Sequence, residues 1–197
     1  ASGVAIYPHS QQIMTEDSAY GDRFLSKVVS DWEAECDPIR DKIRVCNARF
    51  GTILHPAGGM IKRLKPLMKM GVLGKIASGD QYMSWVSLDD AIRAIYFMMA
   101  NSNLSGPVNV VAPHAQTQVE WIKEWARNSF RPALAPLPKN IVEEIMGEMG
   151  DELLLQSLRV SPKKLKDQNF TFVVISIGMN DITSGNSLIL FKNNLKK

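Results

Sequence analysis

The sequence is poor in the residues that bind transition metals. Its 197 residues include only two cysteines and three histidines. His9, His55 and His114 are far apart along the chain and adjoin no cysteine pair, so no metal-ligand spacing occurs and we predict no metal site. We interpret Cys36 and Cys46 as two buried thiols in a reducing compartment, although the sequence leaves open whether they pair.

The sequence also lacks long apolar runs and a strong excess of charge. The apolar run 94–100 is far shorter than the roughly 18 to 20 residues that cross a bilayer, so we predict no membrane span. The net charge is only +3, and basic residues do not alternate with stacking aromatic residues, so we expect no nucleic-acid partner. Hydrophobic residues make up 45% of the chain, which favours a globular protein with a buried core.

Predicted strands and helices alternate along the first 130 residues. Two helices are predicted to begin with a side-chain cap and an acid three residues later, at Ser87 and Asp90 and at Thr117 and Glu120. This alternation predicts an α/β fold with a mostly parallel sheet flanked by helices. The predicted elements are strand 1–7, helix 22–36, strand 43–50, helix 58–70, short strands within 75–86, helix 88–100, strand 107–111 and helix 117–130.

The pattern changes after residue 130. Prolines interrupt the chain, and short helices are predicted at 141–149 and 152–158. In the tail, the apolar stretches 175–177 and 188–191 are predicted to form an unpaired, aggregation-prone strand edge. We therefore predict three parts: a Rossmann-like part at 1–130, a small helical domain at 131–172 and a divergent tail at 173–197.

Six short motifs follow one another along the chain: Trp32-Glu33, Arg49-x-Gly51, Gly58-Gly59, Ser84-Trp85-Val86, Asn109–Pro113 and Leu153-x-x-x-Ser157-x-Arg159-Val160-x-Pro162. The fourth motif lies in a longer run that resembles the Gly-x-Gln-x-x-x-(Trp/Phe)-(Ile/Val)-x-x-Asp-Asp segment of extended short-chain dehydrogenases. Together the six resemble the atypical epimerase family that includes short-chain dehydrogenase/reductase family 39U member 1, and the resemblance covers about residues 1–172.

The resemblance implies a fold, a cofactor and a class of reaction. It implies the C-terminal half of a Rossmann-like extended dehydrogenase fold, followed by a small helical domain of unknown function of the DUF1731 type. The intact protein would be an intracellular, cytoplasmic or organellar, NADP(H)-dependent epimerase or oxidoreductase of the nucleotide-sugar epimerase type, which acts on a small-molecule substrate that the sequence does not identify. Because the chain begins inside a predicted strand and contains no Gly-x-x-Gly-x-x-Gly turn, we expect it to be N-terminally truncated and to bind the dinucleotide poorly by itself.

The resemblance also assigns candidate site residues. Ser2 matches the active-site serine, within one residue of register, and is a candidate catalytic and cofactor-binding residue. Arg49 is the second cofactor candidate, although an arginine at a strand end often pairs with a nearby acid instead. Glu33, Gln81 and Trp85 are the candidate substrate-binding residues.

The usual acid and base of the superfamily are missing from the place where the resemblance puts them. The expected Tyr-x-x-x-Lys pair falls on Phe24 and Val28, which carry neither a hydroxyl nor a charge. Tyr20 lies one helical turn earlier but has no lysine four residues later. Two alternatives to an enzyme therefore stay open: a non-catalytic NADP(H)-binding or sensing protein, and an inactive truncated product.

Other polar or glycine-rich positions have a structural interpretation beside the functional one. Gly58-Gly59 ahead of a helix is typical of a diphosphate cradle but is more often a simple turn. The basic residues between 62 and 69 fit the solvated face of an amphipathic helix. Trp32 is interpreted as a helix-end side chain that packs over the core.

Overall fold

Strands and helices alternate in the computed structural model, which describes residues 1–130, 132, 136, 156–172, 174–175 and 190–191. The helices are α1 (Phe24–Ala34), α2 (Gly59–Lys69), α3 (Leu88–Ala100), α4 (Gln118–Asn128) and α5 (Lys163–Asp167). The strands are β1 (Ser2–Gly3), β2 (Ser10–Met14), β3 (Cys46–Phe50), β4 (Thr52–Leu54), β5 (Tyr82–Met83), β6 (Trp85–Ser87), β7 (Gly106–Val110), β8 (Gln116–Thr117), β9 (Leu158–Val160), β10 (Val174–Ile175) and β11 (Leu190–Phe191).

The chain divides into two compact units. The first unit comprises residues 1–53, 82–115 and 157–171, and the second comprises 54–81, 116–156 and 172–197. Strands β1, β3 and β7 form a parallel sheet in the first unit, in the order β1-β3-β7. This parallel α/β arrangement is the predicted fold class.

One row of residues crosses all three strands of this sheet. Ser2 of β1 lies opposite Arg49 of β3, and Arg49 lies opposite Asn109 of β7. Residues in register on neighbouring parallel strands point to the same face of the sheet. The register therefore places these three polar side chains side by side near the carboxyl ends of their strands.

The two faces of β3 pack against different helices. The side chains of Asn47 and Arg49 lie on the face of helix α1, where Arg49 contacts Glu33 and Asn47 accepts a hydrogen bond from Arg40, just beyond the helix. The alternate side chains point the other way, as strand geometry requires. They line a cavity together with residues of helix α3, so α1 and α3 cover opposite faces. The residues on this second face are Cys46, Ala48 and Phe50.

The first unit has a continuous apolar core beside the sheet. Strand β9 pairs in parallel with β2, which brings the segment that follows residue 156 against the start of the chain. Ser84 joins this arrangement, because its hydroxyl donates to the carbonyl of Leu158 and accepts from the amide of Val160. The buried core residues are Val4, Ile6, Tyr7, Met14, Val29, Val111 and Val160.

Among the residues that the structure describes, the second unit contains the amphipathic helices α2 and α4. Each buries one stripe of apolar side chains at three-and-four spacing and leaves its charged residues exposed or partly exposed. Helix α4 begins with the predicted capping box, in which Thr117 accepts from the amide of Glu120 and Glu120 accepts from the amide of Thr117. The other predicted cap, in the first unit, is also present, because Ser87 accepts from the amide of Asp90.

Glycine is needed at the end of β3 because two backbones approach closely there. A Cβ atom at Gly51 would lie 2.6 Å from the carbonyl oxygen of Ser84. The next residue, Thr52, donates its amide hydrogen to that same carbonyl at 2.9 Å. The Arg49-x-Gly51 motif therefore has a packing reason at its glycine.

Several predicted boundaries were wrong at the start of the chain. The strand predicted for 1–7 ends at Gly3, because Val4–Ile6 form a 3-10 turn closed by the amide of Tyr7. Residues 4–7 are all apolar or aromatic, so the sequence shows no alternation of apolar and polar residues that could distinguish a strand from a turn. The region 8–20, predicted as a loop, contains strand β2. The polar sequence of this strand lacks the alternation of apolar and polar residues that would predict it. Helix α1 is two residues shorter at each end than the predicted helix 22–36.

Other predictions were wrong near the end of the chain and on the surface. Leu158 lies in strand β9 and not in the helix predicted for 152–158, whereas 141–149 and 152–155 lie outside the described residues. Strands β10 and β11 pair with each other in an antiparallel arrangement, so this edge is not unpaired. Trp32 is 62% exposed and does not cover the core. Cys36 and Cys46 are free and only partly buried.

Candidate functional site

A buried arginine is the centre of the polar network in the first unit. Arg49 is completely buried and uses its guanidinium in four hydrogen bonds. Its Nε donates to Oε1 of Glu33 at 2.8 Å and its Nη2 to Oε2 at 2.7 Å, which is the bidentate geometry of a strong arginine–carboxylate pair. Its Nη1 donates to the hydroxyl of Tyr7 and its Nη2 to that of Tyr20, both at 2.8 Å.

The predicted site serine belongs to the same network. The hydroxyl of Ser2 donates to Oε1 of Glu33 at 2.5 Å, so the carboxylate accepts from Ser2 and Arg49 together. Glu33 can reach both because it follows Ser26 and Val29 along the buried stripe of helix α1. Ser26 fixes this helix to the chain after β1 by donating to the carbonyl of Ala5.

The network continues across the sheet to the C-terminal segment of the first unit. Tyr7 donates its hydroxyl proton to Oδ1 of Asn109 at 2.7 Å, and the amide group of Asn109 donates to the carbonyl of Ser161. The backbone amide of Asn109 donates to Oε1 of Glu16, which also accepts from the amide of Lys164. The row Ser2–Arg49–Asn109 is therefore held from both ends by hydrogen bonds.

The electrostatics fix the protonation of Arg49 and Tyr7, the two fully buried titratable members of the network. Burial works against the charged form of Arg49, but the hydrogen bonds to Glu33 and the oxygen of Tyr7 more than offset it and raise the pKa of this guanidinium. Burial raises the pKa of Tyr7, and the nearby charge of Arg49 only partly counters this. Arg49 is therefore a permanent cation and Tyr7 a neutral phenol at physiological pH.

The structure brings together only some of the predicted site residues. Ser2, Glu33 and Arg49 are in direct contact. Trp85 lies on β6 of the same unit, where its carbonyl accepts from the amide of Ala112. Its indole nitrogen is buried and has no hydrogen-bond partner among the residues that the structure describes.

Gln81 belongs to the second unit. Its amide group donates to the carbonyl of Ile76, and Ser78 donates to its side-chain oxygen. The carbonyl of Gln81 accepts from the amide of Gln118, whose side chain in turn accepts from the amide of Ile76. These contacts order the loop between α2 and β5. The substrate-binding role of Gln81 and Trp85 stays a prediction.

Sequence analysis missed two members of the network. Tyr7 was assigned only to a strand, and Glu16 lies in a segment predicted as a loop. Neither has a sequence signal, because their partners Arg49 and Asn109 are distant along the chain and meet them only through sheet register and loop packing. Asn109 belongs to one of the six motifs, but the motif does not predict its hydrogen bond with Tyr7. That contact depends on the position of Asn109 opposite Arg49 in the sheet.

The described residues include neither a metal-ligand cluster nor a membrane-spanning helix. Over residues 1–130 and 156–172 and the other described positions, no three His, Cys, Asp or Glu side chains come together in a way that could hold a metal ion. No described helix has both the length and the apolar character needed to cross a membrane.

Known proteins are similar to this chain in both sequence and structure. A family model for DUF1731, a domain of unknown function, matches residues 137–177. An epimerase family protein of Mycobacterium bovis is 39% identical over 180 residues, which cover 90% of this chain and 60% of that protein. The crystal structure of human epimerase family protein SDR39U1 (isoform 2) with NADPH matches with a TM-score of 0.81 and 28% identity, over 87% of this chain and 59% of the human one. The chain is therefore similar to proteins of this epimerase family over most of its own length.

The comparisons confirm both the predicted family and the predicted Rossmann-like fold class. A nucleoside-diphosphate sugar epimerase of Corynebacterium glutamicum is also similar to this chain, with a TM-score of 0.69 and 31% identity over 87% of this chain and 33% of that one. The chain spans about 60% of the length of the mycobacterial relative.

Proposed function

We propose that this chain forms the substrate-side part of an NAD(P)H-dependent epimerase or oxidoreductase that acts on a nucleotide-linked sugar. The observation that carries this proposal is the match to the human relative solved with NADPH, at a TM-score of 0.81. The polar row Ser2–Arg49–Asn109 supports it, because ligands of open α/β folds bind beyond the carboxyl ends of the parallel strands.

The residues of the row fit the reacting end of such a ligand better than its phosphates. Arg49 is completely buried, and four of its five N–H donors already bind Glu33, Tyr7 and Tyr20, so it is poorly placed to bind a phosphate as well. We therefore propose that Arg49 positions its neighbours and that Ser2 and Tyr20, which are partly accessible, face the ligand. A bound nicotinamide would supply or accept the hydride in this reaction.

The test uses the purified chain with the human relative as a positive control for NADPH binding. One assay measures the conversion of UDP-glucose to UDP-galactose, and another measures NADPH oxidation when carbonyl compounds are added. We also expect NADPH to raise the melting temperature of this chain less than that of the human protein, because these residues contain no glycine-rich dinucleotide turn. If neither NADPH nor UDP-glucose binds and no substrate reacts, the proposal is wrong.

A second candidate is a binding or sensing protein without catalysis. It is favoured by Phe24 and Val28, which occupy the places of the usual tyrosine and lysine and lie on the exposed side of α1, away from the stripe that carries Glu33. Stabilisation by NADPH or UDP-glucose without any turnover would support this candidate. Measurable turnover would rule it out.

A further inference from the structure

Two tyrosines accept hydrogen bonds from the same guanidinium but differ in what they do with their own proton. Tyr7 is buried, and its hydroxyl proton is donated to Asn109. Tyr20 is 50% exposed. Its hydroxyl oxygen accepts from Nη2 of Arg49, and its proton has no acceptor among the residues that the structure describes. Tyr20 is therefore the member of the network with a proton to offer outward.

The charge and position of Arg49 determine how Tyr20 presents that proton. A guanidinium can only donate, so the contact uses an oxygen lone pair of Tyr20 and leaves its O–H bond free to turn to another acceptor. The ring of Tyr20 also lies against the guanidinium, with 5.0 Å between the ring centre and Cζ of Arg49. The phenol of Tyr20 is thus held next to the positively charged group of Arg49. In the superfamily that the chain resembles, a lysine supplies the positive charge beside the catalytic tyrosine.

We propose that Tyr20, held by Arg49, donates a proton to the substrate oxygen in place of the missing tyrosine at position 24. This inference rests on the proposed function and names the residue that carries its acid–base step. The pairing is formed across the fold and not along a helix, since Arg49 lies 29 positions after Tyr20. A search for tyrosine and lysine four residues apart cannot find it.

In the direction of reduction, Tyr20 is the proton donor. The O–H bond of Tyr20 breaks and its proton passes to the carbonyl oxygen of the substrate. A bound reduced nicotinamide would supply the hydride to the carbonyl carbon and would itself be oxidised, so that the carbonyl would become an alcohol. The phenolate of Tyr20 then recovers a proton from water, next to the charge of Arg49. In the direction of oxidation the phenolate would take the hydroxyl proton of the substrate, and an oxidised nicotinamide, when bound, would accept the hydride.

The test compares Tyr20→Phe with wild type in three measurements on the full chain. We expect turnover with NADPH and a carbonyl substrate to fall by about 10²- to 10⁴-fold, as for loss of a general acid. We expect the affinity for UDP-glucose, measured by calorimetric titration without cofactor, to fall by at most about tenfold, because one hydrogen bond is lost. The melting temperature should stay near the wild-type value, since Nη2 of Arg49 keeps its bond to Glu33.

Two matched variants make the outcomes distinct. Tyr96→Phe removes the hydroxyl of a tyrosine that is 68% exposed on helix α3, and it should change none of the three measurements. Tyr7→Phe should lower the melting temperature, as expected for a structural tyrosine. If Tyr20→Phe keeps its turnover while wild type is active, the inference is wrong and the proposed function stands. If wild type neither binds UDP-glucose nor turns over, both are wrong.

Discussion

The two faces of β3 differ in how completely their side chains are satisfied. On the face of α1, Asn47 and Arg49 are held by hydrogen bonds to charged or polar partners. On the face of α3, Cys46, Ala48 and Phe50 border a cavity of about 330 Å³. Hydrogen bonds between particular atoms therefore fix the side chains on the α1 face. The side chains on the α3 face make apolar contacts that leave part of the space unfilled.

The difference predicts opposite tolerance to substitution. A buried charge that loses its partner keeps the full cost of its removal from water, so changes on the polar face should be severe. An apolar wall beside a cavity has room for extra atoms, so additions there should be accepted. Ser2 and Tyr20, the groups that we propose to face the ligand, are bonded to Glu33 and Arg49 of this polar network, so the proposed function depends on its rigidity.

The largest effect is expected when the buried ion pair is broken from one side. Arg49→Met leaves Glu33 buried without its cation and should lower the free energy of unfolding by about 3 to 5 kcal/mol. Urea denaturation followed by circular dichroism measures it. The double variant Arg49→Met/Glu33→Gln removes both charges and should recover part of the loss. A loss below about 1 kcal/mol in the single variant, as for an exposed pair, would contradict a buried network.

A smaller effect is expected when the ion pair stays and one of its supports is removed. Tyr7→Phe deletes the hydroxyl that joins Arg49 to Asn109, and the groups left behind are buried. We expect a loss of about 1 to 3 kcal/mol in the free energy of unfolding, because buried polar atoms lose their partners. Tyr96→Phe, measured in the same denaturation experiment, should lie within about 0.5 kcal/mol of wild type. Equal effects of the two variants would contradict the structural role of Tyr7.

Local sequence patterns predicted the elements that depend on neighbouring residues. The capped helix starts at Ser87 and Thr117 follow from side chains that bond backbone amides three residues away. Strand β2 could not be predicted in the same way, because it is stabilised by β9, more than 140 residues later. Its polar sequence gives no period-two signal.

The same limit applies to the candidate site. Ser2, Glu33 and Arg49 were each singled out by resemblance, and their meeting follows from the parallel register of β1 and β3 and the buried stripe of α1. The contacts of Tyr7, Tyr20 and Asn109 with that group are side-chain contacts between distant segments. Periodicity and spacing contain no information about such contacts.

The smallest effect is expected on the apolar face of β3. Ala48 borders the cavity, so Ala48→Val adds two methyl groups where space exists and a β-branched residue where a strand favours one. We expect the free energy of unfolding to rise by about 0.5 to 1 kcal/mol. The matched control is Ala94→Val on helix α3, since Ala94 is buried but does not border this cavity. It should lower the free energy of unfolding by about 1 to 3 kcal/mol through overpacking. If both variants destabilise the chain equally, the cavity has no room for the added methyl groups. The two faces of β3 would then not differ in their tolerance to substitution.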